Sequence, residues 1–250
     1  MNKDDNKTPA MRFFDQMRNL SPKTLGLTTA LKAVTTKGFA PHILEIGAQR
    51  STSKFSLFSD GWSSFVFAQA KNSSFISIDP ALSVDNPVTS NLGFFDRTNY
   101  SAVSSCALSF IAAGQLSDFP DFIYLDGPDN REFTNDVLSY LIPMIMEQEK
   151  LVITVLDDLH TKVKDWESLK IWLMENGFFV RTVAHMFTID GSLARGALPT
   201  ECNLELSQAI IAWGKFPGGY SEVLRVFNAW EKAVTKNKLI RMGKGNAFML

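Results

Sequence analysis

Four short apolar runs constrain this chain more than any other feature. They are His42–Ile46, Phe75–Ile78, Phe122–Leu125 and Leu151–Leu156, and they run directly into Gly47, Asp79, Asp126-Gly127 and Asp157-Asp158. The runs show no sustained polar alternation, as a sheet wetted on one face would require. Short continuous apolar strands separated by helices are the mark of a parallel sheet covered on both faces. Helical patterns lie before, between and after them. They cover Pro22–Thr36, Trp62–Lys71, Glu132–Gln148, Asp165–Asn176 and Tyr220–Lys236. In the third, Phe133, Val137, Leu141 and Ile145 recur at steps of four, the spacing that builds one buried helix face; in the fourth, Gly177 stands at the expected cap. Phe178–Phe187 and Gln208–Trp213 read as two further strands. The pattern predicts a doubly wound α/β fold. Residues 1–40 form an N-terminal helical extension and 41–250 the α/β domain, with Asp190–Asn203 as the longest irregular stretch, a lid or a dimer arm.

In doubly wound folds the ligand sits outside the carboxyl ends of the strands. Glu45 and Gly47, Asp79, Asp126, and Asp157 with Asp158 would then converge on one crevice. The plainer alternative is that acidic residues begin loops because their side chains bond the backbone of turns.

Composition excludes several classes. A chain of 250 residues, 45% hydrophobic with net charge −1, buries enough apolar surface to fold, so it is not a disordered chain. Two cysteines, Cys106 and Cys202, make neither a disulfide framework nor a metal cluster and read as packing residues. Together with a polar start, MNKDDNKTPA, they predict a cytoplasmic protein without a signal peptide. No apolar run approaches the ~20 residues of a membrane span, so no membrane partner is expected. Charge is unevenly placed. Residues 1–40 carry seven Lys/Arg against three Asp, and 225–250 carry six against Glu231, which leaves −10 for the body between. Basic ends would suit an acidic or phosphate-bearing partner, or merely be solvated helices.

Within residues 40–160 the sequence resembles the class I S-adenosylmethionine-dependent methyltransferases. His42-Ile-Leu-Glu45-Ile-Gly47 is similar to that family's first motif, although the later glycine is missing from Ala48–Ser53. Gly61-Trp62-Ser63-Ser64 resembles the helix entry of its small O-methyltransferase branch, with an insertion between Gly47 and Gly61 that contains Arg50, Ser51, Thr52 and Lys54. Phe75-Ile-Ser-Ile-Asp79 places an acid at the end of the second strand. Asp126-Gly127-Pro128-Asp129, followed by Asp157-Asp158, resembles the Asp-Gly and Asp-Asp pattern of methyltransferases acting on small hydroxylated compounds and sugars. The resemblance implies a mostly parallel seven-stranded sheet with helices on both faces, a Rossmann-like methyltransferase fold. It also implies S-adenosylmethionine as cofactor. Glu45, Gly47, Gly61 and Ser63 would shape its methionine end, Asp79 would take the ribose hydroxyls, and Asp126 would be a further cofactor contact. Val103–Cys106 would lie beside the adenine, and Trp62 and Tyr100 are candidate walls. A magnesium ion would be held by Asp126, Asp157 and Asp158, since three close carboxylates need a hard cation or protons. Asp129 or His160 would be the catalytic base. Two plainer roles remain open: Asp157-Asp158 as an N-cap pair and Asp129 as the cap of the next helix. His42 and His185 read as structural.

The leading expectation is an enzyme, an O-methyltransferase acting on a small hydroxylated or sugar-like substrate, with a homo-oligomer as the expected assembly. Two alternatives stand beside it. One is a non-catalytic scaffold or partner subunit of the same fold. The other is a nucleic-acid methyltransferase gripping phosphates with its basic ends, whose binding would weaken steeply with salt.

Overall fold

The computed structural model describes residues 31, 41–47, 63–64, 67, 73–82, 100–116, 118–128, 130–188, 202–228 and 247–249. Among them eight strands form one sheet. These are β1 (His42–Ile46), β2 (Ser74–Ile78), β3 (Tyr100–Val103), β4 (Phe122–Leu125), β5 (Val152–Asp157), β6 (Phe178–Thr188), β7 (Cys202–Trp213) and β8 (Ala247–Met249). The helices are α1 (Ala107–Ala112), α2 (Arg131–Met146), α3 (Leu159–Lys162) and α4 (Trp166–Glu175), with residues 219–228 helical as well.

The strand order is β3-β2-β1-β4-β5-β7-β6-β8. The first five strands are parallel, and β7 lies antiparallel between β5 and β6. This is the doubly wound, Rossmann-like arrangement expected from the sequence, with one strand more than the seven foreseen. The extra strand, β8, pairs antiparallel with the outer side of β6. The order reverses between β1 and β4, which makes that junction the topological switch point where such sheets hold ligands.

Strand parity decides what each face carries, because successive side chains point to opposite sides. Leu44, Ile46, Ile78, Ile123 and Leu125 belong to a core completed by Ala107 and Ile111 of α1 and by Val137, Leu138, Leu141, Ile142 and Ile145 of α2. The step-of-four pattern is thus the buried face of α2. On the opposite parity stand Ile43, Glu45, Phe75, Ser77, Phe122 and Tyr124. Phe67 packs there edge-on against Phe75, Phe122 and Tyr124, with ring centroids 5.4, 5.8 and 5.6 Å away. Such contacts add about 1 kcal/mol each beyond area burial and seat the helical segment around Phe67 on the sheet.

The far ends of the strands are tied by Asp121. Its carboxylate accepts from the His42 backbone N–H at 2.9 Å and meets the Lys150 ammonium at 2.8 Å. Its backbone N–H donates to His42 and its carbonyl accepts from Ile153. One buried residue therefore joins the beginnings of β1, β4 and β5.

Two sequence expectations need correction here. Cys106 is exposed at the N-cap of α1 and is not a packing residue. Cys202 and Asn203, placed in the irregular stretch, are already in β7. Residues 1–30 and 32–40 of the extension, and 190–201, lie outside the described residues; Leu31 is helical and buried. Among the described residues no helix is long and apolar enough to cross a membrane.

Candidate functional site

The parallel register aligns the strand ends. Ile46 pairs with Ile78 and Leu125, and Leu125 with Leu156. The next residues, Gly47, Asp79, Asp126 and Asp157, therefore stand side by side at the carboxyl edge. Backbone bonds fasten them: Gly47 N–H to Ile78 at 3.0 Å, Asp79 N–H to Val103 at 3.1 Å, and Asp126 N–H to Ile46 at 2.8 Å. Gly47 has φ +87° and lies against the backbone of Asp126 at the switch point.

Glu45 is fully buried, one step behind this row. Its carboxylate accepts from Ser63 Oγ at 2.5 Å, from Ser64 Oγ at 2.7 Å and from Ser77 Oγ. A buried carboxylate with three donors is satisfied, as burial demands. Glu45 and Ser63 were expected at the methionine end. With no exposed surface and both oxygens engaged, Glu45 acts on the cleft indirectly, by tying β1 to β2 and to the helical segment that carries Ser63, Ser64 and Phe67. Burial pushes its carboxyl up to about 7, against the pull of the Ser63, Ser77 and Ser64 hydrogen bonds, while the Asp79 charge adds to the rise.

This shift has a pH consequence. The folded chain keeps a proton on Glu45 that the unfolded chain releases over the interval from 4.5 to about 7. The contribution to stability is full below the unfolded value and is lost as pH rises through the folded one. At 1.36 kcal/mol per unit it amounts to about 3 kcal/mol. Glu45→Gln is expected to remove that slope. Urea unfolding at about pH 5 and about pH 8 should show wild type losing roughly 3 kcal/mol more than the variant. Parallel pH profiles would refute the assignment.

Asp79, 5% exposed, accepts from the Ala81 backbone N–H at 2.7 Å through Oδ1. It is thus the turn residue that the plainer reading describes, and it also stands at the carboxyl end of β2. Val103 and Ser104 follow one strand away. Tyr100 begins β3, tilted against Phe75 at a centroid distance of 4.9 Å.

Asp126, Asp157 and Asp158 come together, each offering an oxygen within 4.8 Å of the others. Two residues missed in the sequence complete the cluster. Tyr124 donates its hydroxyl to Asp157 Oδ2 at 2.6 Å and lies 3.5 Å from Asp126 Oδ2. Burial, then the Asp126 and Asp157 charges, push that hydroxyl far above its usual range, so it stays a donor. Lys162 has a side chain only 7% exposed, pairs with Asp126 Oδ1 and lies 3.5 Å from Asp158 Oδ2. Burial opposes its charge, yet Asp126, Asp158 and Asp157 raise its pKa above the ordinary lysine value. Asp126 is lifted above the carboxylate range by burial and by Asp157, with Lys162 pulling the other way. Both additions left a trace in the sequence. Tyr124 has the parity of Asp126 on the strand that precedes it, and Lys162 stands four residues after Asp158, one helical turn.

Asp158 occupies the N-cap position of α3 with φ +47°, but its side chain makes no capping bond. The capping expected of the Asp157-Asp158 pair falls instead to Asp165, which caps α4. The cap of α2 is Asn130, bonded to the N–H groups of Glu132 and Phe133. Among the expected site residues, Gly61 and Asp129 lie outside the described residues, as do Trp62, Arg50, Ser51, Thr52 and Lys54; His160 is in α3, its side chain outside them.

The carboxylates have the chemistry of a hard-cation site. The fit to magnesium fails on Lys162, whose ammonium already contacts two of the three.

Comparison with known proteins gives fold-level likenesses. No family model matches the chain, and no curated protein matches it. It is similar to a putative caffeoyl-CoA O-methyltransferase from Staphylococcus aureus at 15% identity, covering 83% of this chain and 93% of that one, TM-score 0.48. It is also similar to the MycE methyltransferase of the mycinamycin pathway, solved with Mg and SAH, at 13% identity over 78% of this chain and 58% of that one, TM-score 0.46. A third is magnesium protoporphyrin IX methyltransferase from Synechocystis PCC 6803 with bound SAM, at 13% identity over 83% and 86%, TM-score 0.42. These likenesses are loose; the strand order carries the fold.

Proposed function

We propose that the protein is an S-adenosylmethionine-dependent methyltransferase that methylates a hydroxyl oxygen of a small hydroxylated or sugar-like substrate. One observation carries this reading: Gly47, Asp79, Asp126 and Asp157 stand level at the carboxyl ends of four adjacent parallel strands, across the switch point. A glycine held open at β1, with an acid at the end of β2, suits a nucleoside bound along this edge. Gly47 would let the methionine end approach the backbone, and Asp79 would accept the ribose hydroxyls. S-adenosylmethionine supplies a methyl group on a sulfonium, which leaves as a neutral thioether while the acceptor oxygen takes the methyl and gives up its proton. The chain's part is alignment, worth several kcal/mol when the reacting atoms are held within ~3.5 Å, and removal of that proton. The acceptor side is the Asp126, Asp157 and Asp158 cluster with Lys162 and Tyr124. Asp129 and His160, three and two residues beyond Asp126 and Asp158, are the proposed bases.

Calorimetric titration with S-adenosylhomocysteine tests the reading. A saturable isotherm with a Kd of about 1–100 μM is expected. No heat of binding at about 1 mM ligand would overturn it and leave the non-catalytic subunit as the description of the chain.

A further inference from the structure

We propose that the ammonium of Lys162 is the resident cation of the carboxylate cluster and takes the place of a divalent metal, so that this site works without one. Its catalytic meaning rests on the methyltransferase reading; its structural claim does not. Three carboxylates this close cannot all stay charged without a compensating cation. The chain provides one by covalent geometry. Lys162 ends the single turn of α3, whose backbone bond from Lys162 N–H to the Asp158 carbonyl is 2.9 Å. That turn brings the side chain back over Asp158 and on to Asp126. With 7% of the side chain exposed, the cost of ordering and desolvating it has already been met by folding.

Both oxygens of Asp157 are engaged as well. Asp157 receives the Tyr124 hydroxyl on Oδ2 and the Asp158 backbone N–H, at 3.0 Å, on Oδ1. Each of the three carboxylates thus has a donor from within the chain. Magnesium demands near-octahedral oxygen coordination at about 2.1 Å and keeps several waters. Entry here would set a dication beside an ammonium, or force the ammonium off Asp126 and leave it buried without that partner, an arrangement that costs several kcal/mol. The resident ammonium offsets part of the cluster's negative charge, the compensation a metal would otherwise supply.

Titration of the full chain with Mn2+, followed by the loss of the free-ion electron paramagnetic resonance signal, tests this without any cofactor. Wild type is expected to show no saturable binding up to about 1 mM, and Lys162→Gln to bind at least about tenfold more tightly. Equal affinity in the two proteins, tight or absent, would overturn the proposal. Lys162→Met, one heavy atom shorter and uncharged, keeps an unbranched apolar stem and serves if the glutamine variant does not fold. Should neither fold, wild type decides alone. Saturable Mn2+ binding lost in Asp157→Asn overturns the proposal; no binding, with an unfolding midpoint unmoved by chelator, supports it. Because no cofactor enters these measurements, their failure leaves the methyltransferase reading intact, and the failure of that reading leaves them interpretable.

Discussion

Gly47→Ala is expected to lower the unfolding free energy by more than about 4 kcal/mol. Two costs combine. At φ +87° an L-residue is strained by roughly 1–2 kcal/mol. The added Cβ would also stand 1.8 Å from the backbone oxygen of Asp126 and 2.5 Å from its carbonyl carbon. Both obstacles are main chain, so no rotamer change relieves them. The ends of β1 and β4 would have to part, and the bonds from Gly47 to Ile78 and from Asp126 to Ile46 would stretch with them. A typical domain holds about 5–15 kcal/mol in reserve, so the variant should be marginal or unfolded. Urea unfolding measures this directly. A midpoint equal to wild type would show that the switch point tolerates a side chain and would contradict the geometry.

Asp79→Ala is expected to weaken S-adenosylhomocysteine binding about 100-fold. Hydrogen bonds to a charged group contribute about 1.5–3 kcal/mol each, or roughly a tenfold to hundredfold change in affinity per bond. Alanine also removes the Asp79–Ala81 turn bond, so a second variant separates the effects. Asp79→Asn keeps an oxygen for the Ala81 N–H but offers a ribose hydroxyl an amide in place of a carboxylate oxygen. It should retain the wild-type thermal midpoint and still lose most of the affinity. Wild-type affinity in the asparagine variant would restrict Asp79 to its turn.

Much of this was legible in the chain, and the reason is physical. β1 and β4 coincide with apolar runs, because a strand buried on both faces is mainly apolar; Glu45 in β1 is the exception, satisfied by three serines. The acidic ends of β2, β4 and β5 were visible because polarity changes abruptly where each apolar run stops. β3 was not legible: Tyr-Ser-Ala-Val is a four-residue, half-exposed edge strand with nothing to distinguish it from a loop. β8 has three residues and owes its place to β6, a partner more than sixty positions away. The site shows the same division. Asp126, Asp157 and Asp158 stood out as a motif, whereas Lys162 carries only its four-residue spacing from Asp158 and meets Asp126 because α3 turns it inward. Glu45 was conspicuous as part of a motif, but its function as the acceptor for three serines depends on Ser63, Ser64 and Ser77 from two other elements.

The tie at Asp121 bears on how such a site can change over time. It sits at the opposite end of the strands, about 13–17 Å from the crevice by strand rise. By fixing where β1, β4 and β5 begin, it also fixes where they end, since a one-residue slip would turn every side chain to the wrong face. The cleft is calibrated from behind, by residues that no ligand reaches. Side chains in the loops at the mouth can therefore change without disturbing that alignment, because it is held at the opposite end of the strands.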